Sequence, residues 1–302
     1  MIMTDSPIRF PGLFGDWAFT ASSKAINIGH GIYWYGIIIA CGLLLAVIFC
    51  LHQRKNYGIT EDDLMDCILW GIPCGIIGAR LYYVIFYLDL FRDADGRFSW
   101  SKAIAIWDGG LAIYGTVIAV VLLAIIMAKR KGFKLCALTD LVVMGLLIGQ
   151  IVGRWGNFMN REAHGGVTDS FFKMGLLDAA GNVTYYHPTF LYESVWNLVG
   201  FIGLHCYCKK RKFDGEIFLL YVAWYGLGRV WIEGLRTDSL YLFSTGIRVS
   251  QLVAGVSFVV AAGAICYVLA RKKPNPEQLF VNRQRRADDA PVEDAEKKTE
   301  EM

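Results

Sequence analysis

The sequence predicts an all-α integral membrane protein with about seven transmembrane helices, an N-terminus outside the cytoplasm and a C-terminus inside it. Three observations predict this class. Of the 302 residues, 55% are hydrophobic and only 19% are charged, whereas about a quarter are charged in a typical soluble domain. The apolar residues form runs of about 20, which is the length of a helix that crosses a bilayer. Short basic segments separate several of these runs, as is typical of the cytoplasmic ends of membrane helices.

The seven apolar runs set the predicted domain boundaries. They cover residues 32–51, 64–88, 110–128, 135–152, 189–207, 216–235 and 249–270. Basic residues follow the first, third, fifth and seventh runs, and these segments hold most of the 30 Lys and Arg residues. Because loops rich in Lys and Arg stay in the cytoplasm, residues 1–31 are predicted to be extracytoplasmic. They lack the basic start and short apolar core of a signal peptide, so the first run is expected to remain as a span.

Two further segments are predicted from composition. The membrane domain is expected to cover residues 32–270, and residues 271–302 are expected to form a charged, disordered cytoplasmic tail, because they contain few apolar residues. The eight cysteines lie in or next to apolar runs without a Cys-x-x-Cys pair. We therefore expect buried, inert thiols and neither a metal site nor a redox motif.

Charged side chains inside the apolar runs are the most informative residues. A charge in the hydrocarbon layer is costly, so such residues are usually paired, face a cavity and serve a function. They are Arg80, Asp140, Glu193, Arg229 and Glu233, with Arg154 at the outer end of the fourth run.

Helix length places most of these residues in one layer. At 1.5 Å per residue, Arg80 lies about 24 Å and Arg229 about 20 Å from the cytoplasmic start of its run, in the outer half of the membrane. With Arg154 they suit the phosphate of an anionic lipid, because arginine offers a permanent charge and a planar fork of donors. Asp140 lies near the cytoplasmic end, where capping of a helix or a local ion pair is expected. The outer layer is also expected to hold Tyr35, Tyr114, His187 and Glu193.

Simpler roles exist for some of these charges. Arg229 and Glu233 are four residues apart and could neutralise each other on one helix face. Arg80 could extend along its run to reach lipid headgroups.

One motif resembles a known family. The run GRWGNFMNREAHG at residues 153–165 resembles the signature of the prolipoprotein diacylglyceryl transferases, Gly-Arg-x-Gly-Asn-Phe-x-Asn-x-Glu-x-x-Gly, and meets every fixed position. Further matches follow in the family's order. They are WYG at 34–36, GAR at 78–80, WDGG at 107–110, HPTFLYE at 187–193 and YGLGR at 225–229, continuing through Glu233 to Arg236.

The resemblance implies an activity and its partners. The family transfers the diacylglyceryl group of phosphatidylglycerol to the lipobox cysteine thiol of prolipoproteins, and glycerol phosphate leaves. This implies a transferase of the bacterial cytoplasmic membrane, with its active site toward the outer leaflet, acting in the first step of lipoprotein maturation. Phosphatidylglycerol, prolipoproteins and the lipid bilayer are the implied partners. No cofactor, metal or nucleic acid is expected.

The expected site residues fall into two groups. Arg154 and Arg229 are expected to stabilise negative charge on the departing phosphate, which in a site of low dielectric is worth several kcal/mol per group. Tyr35 and Tyr114 complete the expected catalytic group. Substrate binding is expected from Arg154, Asn157, Asn160, Gly165, Arg80, His187, Glu193, Glu233 and Arg236.

The chain departs from the family pattern at Tyr114, where well-known members carry a histidine that could accept the thiol proton. A tyrosine side chain in water is a poor base at neutral pH, since its pKa is about 10. The sequence leaves three possibilities for the thiol proton. Another residue accepts it, with His164 and His187 as candidates, or Tyr114 accepts it after activation by an arginine, or it goes to water.

Two other functions compete with transfer. A transporter for a small anion or lipid would also place arginines within the membrane, although the sequence has no internal repeat. An intramembrane protease would need a Ser–His pair, paired aspartates or a zinc motif at span depth, and none is present.

Overall fold

The computed structural model describes residues 5–20, 22–27, 31–93, 95–178, 180–237 and 248–288. The chain divides into two compact units. The first unit comprises Met1–Gln53 and Thr139–Arg286, and the second comprises Arg54–Leu138 and Ala287–Met302.

Ten helices and six short strands follow one another in the described residues. In chain order they are β1 (Ile8–Arg9), α1 (Pro11–Phe14), β2 (Ala18–Phe19), β3 (Lys24–Ile26), β4 (Ile32–Tyr33), α2 (Trp34–Gln53), α3 (Glu61–Phe86), α4 (Trp100–Ile104), α5 (Ile113–Lys131), α6 (Leu135–Asn160), β5 (Met174–Leu177), β6 (Val183–Tyr186), α7 (Thr189–Tyr207), α8 (Glu216–Leu235), α9 (Val249–Tyr267) and α10 (Phe280–Asp288).

Five helical segments among the described residues are long and apolar enough to cross a membrane. They are Trp34–Tyr57, Glu61–Phe86, Ile113–Lys131, Leu135–Asn160 and Val249–Lys272. This agrees with the predicted helical membrane protein. The fifth and sixth predicted runs are also helices, α7 and α8, but charged and amide side chains such as Glu193 and Arg229 lower their mean hydropathy. The count of seven spans therefore stays a prediction.

Helix α6 continues beyond the predicted fourth run, which ends at residue 152, and reaches Asn160. The polar residues that end the apolar run do not interrupt the helical hydrogen bonds. Arg154, Asn157 and Asn160 consequently share one helix. At spacings of three residues, their side chains lie on the same side of that helix.

The C-terminal segment differs from the disorder that its composition predicts for residues 271–302. Helix α10 covers Phe280–Asp288, and the side chains of Leu279 and Val281 are buried. The Asp214 carboxylate accepts a hydrogen bond of 3.0 Å from the Phe280 N–H. These few apolar contacts and one helix-capping bond order the segment. The part of the prediction that concerns residues 289–302 lies outside the described residues.

A four-stranded antiparallel sheet in the order β2-β1-β5-β6 belongs to the first unit. Its inner face packs on the end of α6 and the start of α7. The buried residues of this core are Ile8, Phe10, Phe158, Met159, Met174, Leu176 and Phe190. Each fully buried apolar side chain of this size contributes about 1.5–3 kcal/mol. The sheet therefore anchors the helix ends that carry the signature residues.

Helix α8 begins at a buried carboxylate. Asp140 in α6 is fully buried and accepts hydrogen bonds from the N–H groups of Gly215, at 2.7 Å, and Phe218, at 2.8 Å. The first N–H groups of a helix have no partner within it, and a negative charge there is favourable. The expectation that Asp140 caps a helix is confirmed, and the helix that it caps lies 75 residues further along the chain.

The second unit is built on close contact between α3 and α5. A Cβ on Gly78 would lie 2.6 Å from the carbonyl oxygen of Gly115, and a Cβ on Gly115 would lie 2.2 Å from the carbonyl oxygen of Gly78. The Thr116 hydroxyl donates to the Gly75 carbonyl at 3.2 Å. Small residues and interhelical hydrogen bonds are the usual means of helix packing in membranes.

Replacing the buried cap tests its contribution to stability. We expect Asp140→Ala to lower the thermal unfolding midpoint of the detergent-solubilised protein, because it leaves two buried N–H groups without an acceptor at about 1–3 kcal/mol each. Asp140→Asn should lose less, since its amide oxygen still accepts one bond. Asp169→Ala is the control, because that carboxylate is almost fully exposed. An unchanged midpoint in Asp140→Ala would contradict the capping role.

Candidate active site

A buried carboxylate in the second turn of α7 organises the candidate site. Glu193 is only 3% exposed and binds three arginines, two from helices and one from the segment that follows α8. Its Oε2 lies 2.5 Å from Arg154 Nη2, and its Oε1 lies 3.1 Å from Arg229 Nη1 and 3.7 Å from Arg236 Nη1. Arg154 comes from α6, Arg229 from α8, and Arg236 follows α8 directly.

A second buried carboxylate extends the network. Glu233, one turn after Arg229 in α8, receives Arg229 Nη2 at 2.6 Å. The Ser250 hydroxyl donates to Glu233 Oε1 at 2.7 Å, and the Arg248 guanidinium donates to the Glu233 carbonyl. Arg229 is thus shared between two carboxylates. The alternative in which Arg229 and Glu233 form an isolated pair does not describe the site.

The charges of the network are paired. Three guanidinium groups face two carboxylates, and buried charges are tolerated only when they are paired in this way. The side chains of Arg154, Arg229 and Arg236 remain 21%, 17% and 14% exposed, whereas both carboxylates are almost completely covered. The arginines can therefore bind an anionic group through their exposed part, while the buried carboxylates fix their positions.

The end of α6 adds an amide and carboxylate cluster. The Asn157 and Asn160 amides donate to the same oxygen of Glu162, Oε1, at 3.0 and 3.3 Å. Asn157 Oδ1 lies 3.5 Å from Arg154 Nη1. The cluster connects with the arginine network through Arg154. Sequence reasoning did not select Glu162, although its fixed place in the signature was a signal for it.

An unusual turn follows the helix. Arg161 and Ala163 both have φ of 54°, a left-handed conformation that non-glycine residues rarely adopt. Arg161 is buried and donates to the Ser6 carbonyl through Nε and Nη2, at 2.9 and 2.8 Å, and to the Met159 carbonyl at 2.7 Å. The pKa of Arg161 is lowered from its usual value, because burial disfavours the charged guanidinium. The nearby charge of Asp5 opposes this effect but does not outweigh it. The N-terminal segment therefore holds the signature turn.

Gly165 has a packing role. A Cβ there would lie 2.7 Å from His187 Cβ and 2.9 Å from the Leu235 carbonyl. The Gly165 N–H donates to the His187 carbonyl at 2.9 Å, and Gly165 pairs with Arg236 as an isolated β-bridge. Only a glycine allows the three chain segments to approach so closely, and its predicted contact with substrate stays a prediction.

Two aromatic residues complete the description of the first unit. The Tyr35 ring packs on Gly156, where a Cβ would lie 2.8 Å from Tyr35 Cδ2. His187 Nδ1 lies 3.3 Å from the Tyr192 hydroxyl. The first unit thus brings together ten of the predicted site residues. They are Tyr35, Arg154, Asn157, Asn160, Gly165, His187, Glu193, Arg229, Glu233 and Arg236.

Arg80 has a structural task in the second unit. Its five N–H donors are matched by five backbone carbonyls, those of Lys102, Ala103, Ala105, Gly109 and Gly110, at 2.6–3.1 Å. A guanidinium has only five N–H groups, so none is left for a phosphate oxygen. The structure therefore does not support Arg80 as a substrate ligand and instead makes it the clamp of the segment before α5. Tyr114, also in this unit, is 58% exposed.

No metal centre is seen in the described part of the chain. There, no group of three or more His, Cys, Asp or Glu side chains is placed to hold a metal ion.

Fold and site together define a helical membrane protein with a partly buried site of paired arginine and carboxylate side chains. A model of the family described as prolipoprotein diacylglyceryl transferase matches residues 23–267. The phosphatidylglycerol–prolipoprotein diacylglyceryl transferase of Oceanobacillus iheyensis is 42% identical over 266 residues, covering 85% of this chain and 90% of the relative. The corresponding protein of Enterococcus faecalis is 43% identical, covering 85% and 92%. The chain belongs to the prolipoprotein diacylglyceryl transferase family.

The clamp role of Arg80 can be tested by proteolysis. We expect Arg80→Lys to increase trypsin cleavage after Lys102 severalfold, because a lysine offers three donors in place of five and releases part of the clamped segment. Arg130→Ala, at an exposed position of the same unit, is the control. Equal cleavage rates in wild type and Arg80→Lys would show that other contacts hold the segment.

Proposed function

We propose that this protein transfers the diacylglyceryl group of phosphatidylglycerol to the lipobox cysteine thiol of prolipoproteins. The observation that carries this proposal is the meeting of Arg154 and Arg229 at one buried carboxylate, Glu193. Arg154 belongs to the family signature, and Arg229 comes from a different helix. Two guanidinium groups that are held in place and remain partly exposed suit the phosphate of an anionic lipid.

The reaction requires charge stabilisation at the phosphate. The thiolate sulfur attacks the glyceryl carbon that bears the phosphate ester, so a C–S bond forms while the C–O bond breaks. The electron pair of that bond leaves with glycerol phosphate, and the thiol proton passes to a base. Cations that are already in place stabilise the departing phosphate without reorganisation, and removal of one such group typically costs about 3–4 kcal/mol.

The carboxylates serve as positioning groups in this proposal. Glu193 and Glu233 hold the arginines in a fixed arrangement, because an unpaired guanidinium would otherwise turn toward water. Arg236 adds positive charge on the same carboxylate. Asn157, Asn160 and Glu162 form the polar cluster next to Arg154, where the amides and His187 are the proposed contacts for glycerol and phosphate oxygens.

The proposed setting is the bacterial cytoplasmic membrane with the site toward the outer leaflet. The basic loops after the first, third, fifth and seventh helical runs support this orientation. Labelling of single introduced cysteines in intact cells tests it. A cysteine placed at Gly181 should react with an impermeant reagent added outside, and one placed at Lys131 should not. The opposite pattern would overturn the orientation.

A transfer assay tests the function itself. Purified protein, phosphatidylglycerol vesicles and a lipobox peptide should yield a peptide whose mass has increased by one diacylglyceryl group. Arg154→Ala should lower the rate at least a hundredfold, since it removes the stabilising cation. Arg154→Lys should also be poor, because an ammonium cannot form the two-pronged contact. Arg9→Ala, at an exposed position of the inner strand β1, is a control that keeps the site.

Two outcomes of this assay would be decisive. An unmodified peptide with the wild-type protein would favour the transporter, which would instead move an anion or lipid across vesicles without changing the peptide. Nearly full activity in Arg154→Ala, with the unfolding midpoint unchanged, would remove Arg154 from the site.

Tyr114 is proposed to donate a hydrogen bond to lipid and not to be the essential base. On this proposal Tyr114→Phe loses only a modest factor, since one neutral hydrogen bond contributes about 0.5–1.5 kcal/mol, and Tyr114→His keeps substantial activity. If Tyr114 were the essential base, Tyr114→Phe would lose more than about a thousandfold across the working pH range. Measured rates from pH 6 to 9 distinguish these two roles.

A further inference from the structure

Two tryptophans, Trp196 in α7 and Trp224 in α8, join these helices. Each side chain packs against the backbone of the other helix. The indole rings of Trp196 and Trp224 are stacked, with centroids 4.3 Å apart and planes inclined by 15°. Each indole N–H donates to the main-chain carbonyl of the other tryptophan, at 3.0 Å in both directions. The contact is therefore reciprocal.

Two glycines make this contact possible. Gly200 and Gly228 each follow a tryptophan of their own helix by four residues. A Cβ on Gly200 would lie 2.3 Å from Nε1 of Trp224, and a Cβ on Gly228 would lie 2.2 Å from Nε1 of Trp196. Both distances are far below van der Waals contact, so each glycine is the surface on which the opposite indole rests. We call Trp196, Gly200, Trp224 and Gly228 the Trp–Gly clasp.

The clasp is adjacent to the arginine network. Glu193 precedes Trp196 by three residues, so the two side chains lie on neighbouring positions of α7. Arg229 follows Gly228 directly in α8. The contact of Trp196 with Gly228 therefore lies within about one helical turn of the 3.1 Å ion pair between Glu193 and Arg229.

The hydrogen bonds of the clasp determine how α7 lies against α8. Contacts between aliphatic side chains permit small shifts of one helix along another. An indole N–H that is shielded from water and loses its carbonyl acceptor is unfavourable, and the clasp would lose two such bonds together. A shift by one residue would move the helices by about 1.5 Å, enough to break the ion pairs of Glu193.

We propose that the Trp–Gly clasp positions the catalytic arginines by fixing the register of α7 against α8. The four residues contact one another and do not need to touch the lipid, so they are positioning residues. This inference rests on the proposed function, because the register matters for catalysis only if Arg229 and Arg154 act on the departing phosphate. Nothing in the family signature includes these two tryptophans.

The first test adds one methyl group to the clasp. Gly200→Ala should lower kcat for diacylglyceryl transfer at least tenfold, since a misplacement of about 1 Å can lower a rate by about a hundredfold. KM for phosphatidylglycerol should stay within threefold, because the change affects the charge that develops in the transition state. Gly203→Ala on the same helix is the matched control, since no atom lies within 4 Å of its added Cβ. Its kcat should stay within twofold of wild type.

The second test uses the crossed geometry of the clasp. In Gly200→Ala the clash is with Trp224, so adding Gly200→Ala to Trp224→Leu should change kcat by less than threefold. The same alanine added to Trp196→Leu should still lower kcat at least tenfold. A general loss of stability would make the alanine equally harmful in both tryptophan variants. If the clasp fixes the register, the alanine must be harmful only when Trp224 is present.

A third measurement is independent of activity. Stacked indoles give an exciton couplet in circular dichroism, which Gly200→Ala should lose and Gly203→Ala should keep. If Gly200→Ala does not fold, Trp224→Phe is the replacement variant and Trp70→Phe is its control. We expect a severalfold loss of kcat in Trp224→Phe and none in Trp70→Phe.

Several results would overturn the inference. These are a kcat in Gly200→Ala equal to that of Gly203→Ala, equal coupling of the alanine to both tryptophans, or loss of the couplet with unchanged kcat. In each case wild-type transfer would still be observed. Absence of transfer by the wild-type protein would instead refute the proposed function.

Discussion

Burial of the Glu193 carboxylate is the constraint on which the candidate site depends. A carboxylate that is 3% exposed needs positive partners, because an unpaired charge in this environment would cost several kcal/mol. The partners are arginines from α6, from α8 and from the segment after α8. Pairing with one acid therefore draws three separate parts of the chain together. It also leaves part of each of these arginine side chains exposed.

The rest of the first unit supports this arrangement. The small sheet buries the aromatic end of α6, so the helix reaches Asn160 before it turns. Arg161 ties that turn to the Ser6 carbonyl, and Gly165 lets the following segment lie against the ends of α7 and α8. Asp140 caps α8 at the opposite end of that helix. The signature is thus held by backbone contacts on several sides, while its arginines and amides remain available for chemistry.

Arginine has two distinct uses in this protein. Arg154 and Arg229 are bound by carboxylates and keep part of the guanidinium exposed. Arg80 directs all of its donors to backbone carbonyls of one segment and has a structural role. Both types occur within apolar helices and look alike in the sequence. The number of donors already engaged, and the chemistry of the acceptors, distinguish them.

The sequence alone determined the membrane class, the family and most of the residues that meet at the site, because long apolar runs and a dense signature are local properties. It left helix capping and a local ion pair as the two expected roles of Asp140. Only the tertiary structure decided that Arg80 is a clamp, that Gly165 is a packing residue and that Glu162 joins the amide cluster. It also decided that α10 is ordered by Leu279 and Val281. These outcomes depend on which carbonyls, carboxylates and glycines are brought within about 3 Å by packing of distant segments, and neither spacing nor composition along the chain contains those distances.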